Sequence, residues 1–124
     1  MVKHPKNKGN AFELLIYKDM KTYIDNVKRV SGSGTMKGEN GDIIATIDDK
    51  EYCMELKHYK TLTFTLIDKW WEKIKRQAKE INMLPLLIYR QNRQKIMIRT
   101  HLRFNGSLIV GDMKYGVWKK IIKR

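Results

Sequence analysis

The chain has 124 residues, of which 26 are Lys or Arg and 13 are Asp or Glu, so its formal net charge at pH 7 is +13. Apolar residues make up 42% of the sequence, which suffices for a folded core and excludes a wholly disordered basic tail. The single Cys53 excludes an internal disulfide framework and a Cys-rich zinc module, and no apolar run approaches the roughly 18 residues of a membrane span. We therefore expect one domain over residues 1–124, located in the cytoplasm.

The N-terminal third predicts a helix between two polar segments. Residues 1–9 are basic and polar, which is typical of a flexible arm. Apolar residues approximate helical spacing from Asn10 onward, so we predict a helix from about 10 to 25. After a short extended stretch at 28–30, residues 31–41 contain four glycines and predict a mobile loop that is a candidate for touching a ligand.

A hairpin is predicted next. Residues 42–47 and 51–57 are β-branched or alternating, and an Asp-Asp-Lys turn joins them, so they predict two antiparallel strands. In the second strand, the period of two places Cys53, Glu55 and Lys57 on one face and core residues on the other. With no His or Asn arrangement to activate its thiol, Cys53 is interpreted as a small buried apolar residue.

The second predicted helix spans 67–82 and has an apolar stripe surrounded by lysines. Its adjacent Trp70 and Trp71 diverge by about 100° around a helix. We therefore expect one of them in the core and the other in a subunit interface, where Trp is enriched.

The C-terminal part predicts strands. Residues 84–89 form a nearly continuous apolar run, typical of a strand covered on both faces. Further strands are predicted at 95–102, 107–110 and 115–118, before a basic C-terminus. The order of the elements predicts an α/β protein with a central mixed β-sheet flanked by helices.

The positive charge predicts a polyanionic partner. A surplus of +13 on a small domain attracts nucleic acid, the commonest polyanion inside cells. A membrane-bound amphipathic helix would need its lysines along one helical face, whereas here Lys and Arg are scattered along the chain. We expect a nucleic-acid partner and no membrane, although charge alone does not separate an enzyme from a passive binder.

Two carboxylates carry the chemical prediction. Hydrolysis of a phosphodiester requires a divalent cation, and Mg²⁺ prefers one or two carboxylates together with waters. Asp42 begins one hairpin strand and Glu55 lies near the end of its partner, so the two carboxylates could meet at one end of the sheet. Lys57 shares the face of Glu55 and could hold the attacking water or stabilise transition-state charge. The alternative is that Asp42 merely starts a strand and that Glu55 and Lys57 form a solvent-facing pair worth about 0.2–1 kcal/mol.

The tripeptide around Glu55 is weak evidence by itself, because lysine is abundant. Asp/Glu-x-Lys occurs four times in the chain, beginning at Asp19, Asp48, Glu55 and Asp112. Asp112 is the serious competitor because it follows an apolar strand. Only Glu55 follows a strand that supplies a second carboxylate at hairpin spacing.

These residues resemble a known family of nucleases. The matching motifs are Lys8-Gly9-x-x-x-Glu13, Arg29-x-x-Gly32-Ser33, Gly41-Asp42, Glu55-x-Lys57 and the basic helix that follows. Together they resemble the PD-(D/E)xK nuclease superfamily, and more narrowly the archaeal-type Holliday junction resolvases that also occur in some phages. The resemblance runs from about residue 8 to residue 89, and it implies a restriction-endonuclease-like core.

The resemblance also implies roles for individual residues. The implied Mg²⁺ ligands, with Mn²⁺ as a substitute ion, are Asp42, Glu55, the backbone carbonyl of Leu56, and Glu13. Lys57 would assist the water, while Arg29 and Ser33 would lie beside the scissile phosphate. The loop between Ser33 and Asp42 is longer than in the archaeal members. For Glu13, the alternative is an ordinary first-turn acid favoured by the helix dipole.

The expected function is a metal-dependent endonuclease that resolves four-way DNA junctions by paired cuts as a homodimer, in the cytoplasm of a host if a phage encodes it. Two alternatives stay open: a restriction- or repair-type nuclease of the same superfamily with another DNA target, and a non-catalytic basic nucleic-acid-binding module. The residues expected to contact DNA are Lys6, Lys8, Arg29, Ser33, Lys37, Lys60, Lys73 and Arg76.

Overall fold

The structure, a computed structural model, describes residues 5–30 and 42–123, with side chains from Gly9 onward. The elements in chain order are α1 (Pro5–Met20), β1 (Asn26–Arg29), β2 (Ile43–Ile47), β3 (Lys50–Tyr59), α2 (Phe64–Glu80), β4 (Leu84–Gln91), β5 (Met97–Phe104), β6 (Ser107–Lys114) and α3 (Tyr115–Lys123).

Six strands form one mixed sheet in the order β1-β2-β3-β4-β5-β6. Neighbouring strands are antiparallel except β3 and β4, which are parallel. A parallel pair needs a long crossover, and α2 supplies it. The predicted α/β class, with a central mixed sheet flanked by helices, is confirmed.

Helix α2 covers one face of the sheet. Its apolar stripe packs against Cys53 and strand β4, and Cys53 is fully buried as predicted. The expectation that Trp70 and Trp71 have different environments is wrong, because they are only 7% and 4% exposed and lie in the same cluster. The helix lies along the sheet, so two side chains that diverge can both reach it. The ring centres of Trp70 and Tyr59 lie 4.9 Å apart, and those of Trp71 and His101 lie 5.3 Å apart.

Helices α1 and α3 contribute to the apolar cluster on the other face. The strand predicted at 115–118 is wrong, since these residues begin α3. Tyr115, Trp118 and Ile122 point into the cluster at spacings of three and four, which is a helical stripe. Asp19 of α1 connects the two helices, because it accepts a hydrogen bond from the Tyr115 hydroxyl at 2.6 Å and pairs with Lys119 at 2.9 Å.

The bounds of α1 also differ from the prediction. The helix begins at Pro5, so residues 5–9 are helical rather than part of an arm; residues 1–4 lie outside the described part. It ends at Met20 because the chain tightens there: the N–H and the hydroxyl of Thr22 both bond to the carbonyl of Asp19, three residues back. The loop predicted at 31–41 also lies outside the described residues. In the described part of the chain, no helix has the length and apolar character needed to cross a membrane.

The start of α2 yields a stability prediction. Thr63 has extended backbone angles and its hydroxyl accepts a hydrogen bond from Leu66 N–H at 3.2 Å, so it caps the helix. Thr63→Ala should lower the free energy of unfolding by about 1 kcal/mol in urea denaturation. Thr65→Ala, at an exposed position one residue inside the helix, is the matched control and should cost less. Equal losses in both variants would contradict the capping role.

Candidate active site

Asp42 lies where the backbone departs from a regular strand ladder. Its N–H donates to the Met54 carbonyl of β3 at 2.7 Å, whereas its carbonyl accepts from Val30 N–H at 2.9 Å. In a regular strand, the N–H and C=O of one residue face the same neighbouring strand. Departures of this kind re-aim side chains and are common beside active sites. Here the Asp42 carboxylate turns toward β3, where Oδ2 accepts a hydrogen bond from Leu56 N–H at 2.9 Å.

Glu55 and Lys57 form a buried ion pair. Glu55 is only 6% exposed, and its Oε2 lies 3.2 Å from Lys57 Nζ. The Lys57 ammonium also lies 5.5 Å from the centre of the Trp70 ring, so it stands between a carboxylate and an aromatic face. The alternative of a solvent-facing pair is therefore wrong, because this carboxylate is withdrawn from water.

The two carboxylates are close enough to repel each other. Burial raises the pKa of Asp42, and the negative charge of Glu55 raises it further, to about 7. The hydrogen bond from Leu56 N–H and the charge of Lys57 lower this pKa, but they do not cancel the increase. A cation placed between Asp42 and Glu55 would relieve this repulsion. The electrostatics of the pair therefore favours cation binding.

Glu13 lies at the rim of this cluster. Its charge also raises the pKa of Asp42, which shows that helix α1 brings it near. Its Oε1 pairs with Arg29 Nε at 3.0 Å. The structure thus joins two residues for which the sequence resemblance implies separate roles, one at the metal and one at the phosphate.

The donor set fits an open magnesium site. Within residues 5–30 and 42–123, no group of three or more His, Cys, Asp or Glu side chains is arranged to hold a metal by itself. Mg²⁺ needs only one or two carboxylates, since it keeps several waters. Because the C=O and N–H of a strand residue project to the same side, the Leu56 carbonyl faces the side on which Asp42 accepts its N–H. Two carboxylates and one carbonyl would leave positions for water and substrate.

The structure describes only part of the predicted DNA-contacting set. Ser33 and Lys37 lie outside the described residues, and Lys6 and Lys8 lie in α1, where their side chains are not described. Lys60 is exposed directly after β3, at the same end of the strand as Lys57.

The basic residues of α2 are divided between two ends of the sheet. Lys73 is half-buried and lies one helical turn after Trp70, the tryptophan whose ring faces Lys57. Arg76 lines a cavity of about 860 Å³ with Lys50 and Glu51, at the opposite end of β3. Lys57 lies six positions along β3 from Glu51, a distance of about 20 Å. Arg76 is therefore not brought to the carboxylates.

The sequence did not predict that Trp70 lies beside the site. The apolar stripe of α2 shows which face of the helix is buried but not how the helix is oriented on the sheet. The sequence also offered a competing match at Asp112, which the structure places away from Glu55. That carboxylate accepts a hydrogen bond from the Tyr89 hydroxyl and pairs with Arg99 Nε at 2.9 Å. The same guanidinium reaches Asp68 of α2 at 2.8 Å, so Asp112 belongs to a network that ties α2 to β6.

Comparisons with known proteins agree with this arrangement. A family model described as "Phage putative PDDEXK endonuclease" matches residues 4–116. The chain is 27% identical over 107 residues to Protein D14 of Escherichia phage T5, covering 63% of this chain and 67% of that protein. Its fold is similar to that of Hjc, a Holliday junction resolvase from Archaeoglobus fulgidus, with a TM-score of 0.53, 18% identity and 89% of each chain covered. The restriction-endonuclease-like fold is thus confirmed. Because the family model spans most of the chain, this protein belongs to the phage PDDEXK endonuclease family, a family of nucleases.

Proposed function

We propose that this chain is a metal-dependent endonuclease that cuts four-way DNA junctions as a homodimer. The observation that carries the proposal is the buried Asp42 and Glu55 pair beside the Lys57 ammonium. Family membership supports phosphodiester hydrolysis. The junction is supported by the likeness to Hjc, which is described as a Holliday junction resolvase.

The proposed mechanism assigns a role to each of these groups. A Mg²⁺ ion bound by Asp42, Glu55 and the Leu56 carbonyl would neutralise phosphate charge and lower the pKa of a water molecule, with Mn²⁺ able to substitute. The Glu55 carboxylate and the Trp70 ring hold the Lys57 ammonium in place. From there Lys57 orients the attacking water or stabilises the developing charge on the phosphate. Cleavage leaves a 5′-phosphate and a 3′-hydroxyl.

DNA binding in this proposal depends on shape rather than on base sequence. A net charge of +13 supports contacts to phosphates, which position a duplex without reading it. Arg29 lies at the rim of the site, and Lys60 lies beyond the end of β3. A four-way junction has approximate two-fold symmetry, so two cuts in strands of like polarity require two sites related by a two-fold axis, which a homodimer supplies. A phage nuclease would meet this DNA in the cytoplasm of the infected cell.

A cleavage panel tests the proposal. Four-way junction, flap, linear duplex and single-stranded DNA of shared sequence are incubated with the protein and Mg²⁺. We expect paired, symmetrically placed nicks in the junction, little cutting of linear duplex, no product in EDTA, and a sedimenting species of twice the chain mass. Equal cutting of linear duplex would favour a restriction- or repair-type nuclease. Salt-sensitive binding without a Mg²⁺-dependent product at any concentration would favour a non-catalytic module.

A further inference from the structure

Phe64 is unusually exposed for a large apolar residue. It begins α2 and is 83% exposed, more than any other large apolar side chain among the residues the structure describes. Strand β3 ends at Tyr59, a few residues earlier in the chain, so Phe64 lies toward the same edge of the sheet as Lys57. A single exposed apolar residue needs no explanation, but one at the rim of an apolar cavity beside a candidate active site does.

Phe64 forms one wall of such a cavity, which we call the rim cavity. Its volume is about 390 Å³, and its lining is Leu62, Thr63, Phe64, Ile67, Tyr89, Gln91, Gln94, Lys95 and Met97. Tyr89 is the register partner of Lys57 across the parallel strands β3 and β4. Neighbouring strands lie about 4.8 Å apart, so the Tyr89 wall of the rim cavity lies one strand away from Lys57.

We propose that the rim cavity receives one unstacked nucleobase of branched DNA and that Phe64, at the entrance of the cavity, stacks on this base. This inference depends on the proposed function. A nucleobase has flat apolar faces and polar edges, and the rim cavity offers apolar walls and the amide group of the exposed Gln94. Gln91 offers its amide N–H groups, since its Oε1 already accepts a hydrogen bond from Leu62 N–H at 2.8 Å. Bases at a branch point are already imperfectly stacked, so removing one from the stack costs least there.

The charge around the rim cavity favours DNA over a second copy of this chain. Lys95 lines the cavity, and Lys60 is exposed in the segment between β3 and α2. These ammonium groups would meet the phosphates on either side of an extruded base, whereas they would repel the same surface of a second copy.

The test uses 2-aminopurine, a fluorescent base, placed at the branch point of a four-way junction and bound by the full chain in EDTA, so that no cutting occurs. Phe64→Ala should change the fluorescence of the bound junction at least twofold relative to wild type and weaken binding about 5- to 100-fold. Phe64→Trp should restore both. The matched control is Phe104→Ala, which removes another exposed phenylalanine, 65% exposed, from the end of β5. It should behave as wild type.

The outcomes separate this inference from the proposed function. If wild type binds and cuts the junction but Phe64→Ala gives the same fluorescence and affinity, the base-binding role of the rim cavity is wrong and the proposed function stands. Equal effects of Phe64→Ala and Phe104→Ala would also overturn it, as general loss of apolar surface would then explain both. If wild type neither binds nor cuts branched DNA, both proposals fail.

Discussion

Replacing Glu55 with glutamine is expected to abolish junction cleavage while leaving junction binding within a few-fold of wild type. Glutamine keeps the shape of the side chain but removes the charge that would hold the cation and that pairs with Lys57 at 3.2 Å. Lys57→Ala should act similarly, because losing one preorganised charge-stabilising group costs about 10²–10³-fold in rate. Single-turnover cleavage with excess protein measures the chemical step, and gel-shift titration in EDTA measures binding.

A matched control comes from the same tripeptide elsewhere in the chain. Asp48 and Lys50 have the spacing of Glu55 and Lys57, but they are exposed at the turn between β2 and β3. Asp48 has a φ of 51°, which asparagine tolerates well, so Asp48→Asn together with Lys50→Ala should preserve the fold. This double variant should cut at the wild-type rate. If Glu55→Gln or Lys57→Ala cut at the wild-type rate, the assignment of these residues to the active site would be wrong.

Asp42→Asn is expected to stabilise the metal-free protein at pH 8 and to leave it nearly unchanged at pH 4. The pKa of Asp42 is about 7 in the folded chain and near 3.8 when unfolded, so between these values the carboxyl ionises more readily in the unfolded chain. Stability that is present below pH 4 is therefore lost as the pH rises through 7. The loss is on the order of 4 kcal/mol. Asparagine does not ionise, so the variant avoids this loss of stability. Its side-chain oxygen can still accept the hydrogen bond from Leu56 N–H.

Urea denaturation in EDTA at pH 4, 6 and 8 measures this difference. The gap between Asp42→Asn and wild type should widen with pH, and millimolar Mg²⁺ should raise the stability of wild type at pH 8 more than that of the variant. Asp48→Asn, which removes an exposed carboxylate at the turn between β2 and β3, is the matched control. A difference that is independent of pH would show that Asp42 is not held beside another carboxylate.

The sequence was sufficient to predict that the carboxylates of Asp42 and Glu55 lie close together, because short-range rules decide the strands that carry them. The β-branched residues of β2, the turn and the alternation of β3 predict a hairpin that brings Asp42 toward Glu55. The irregular backbone at Asp42 could not be predicted, since it is visible only in the hydrogen bonds to Val30 and Met54. That irregularity aims the carboxylate, so the predicted neighbours were right while the local geometry was missing.

Longer-range features were beyond the sequence for different reasons. The segment at Tyr115 combines aromatic and β-branched residues, which suit a strand as well as a helix until Ile122 extends the helical stripe. Helix α2 carries basic residues along its length, and only its direction on the sheet places Trp70 over Lys57 and Arg76 at the far end. The pairing of Glu13 with Arg29 likewise depends on how α1 packs beside β1.

A crystal structure of the wild-type chain soaked in Mn²⁺, with anomalous data to locate the ion, tests the central claim most directly. We expect one ion in contact with carboxylate oxygens of both Asp42 and Glu55 and with the Leu56 carbonyl, at distances of about 2.0–2.2 Å. Carboxylate oxygens too far apart to share an ion, or an ion bound elsewhere while these two residues hold none, would contradict the account.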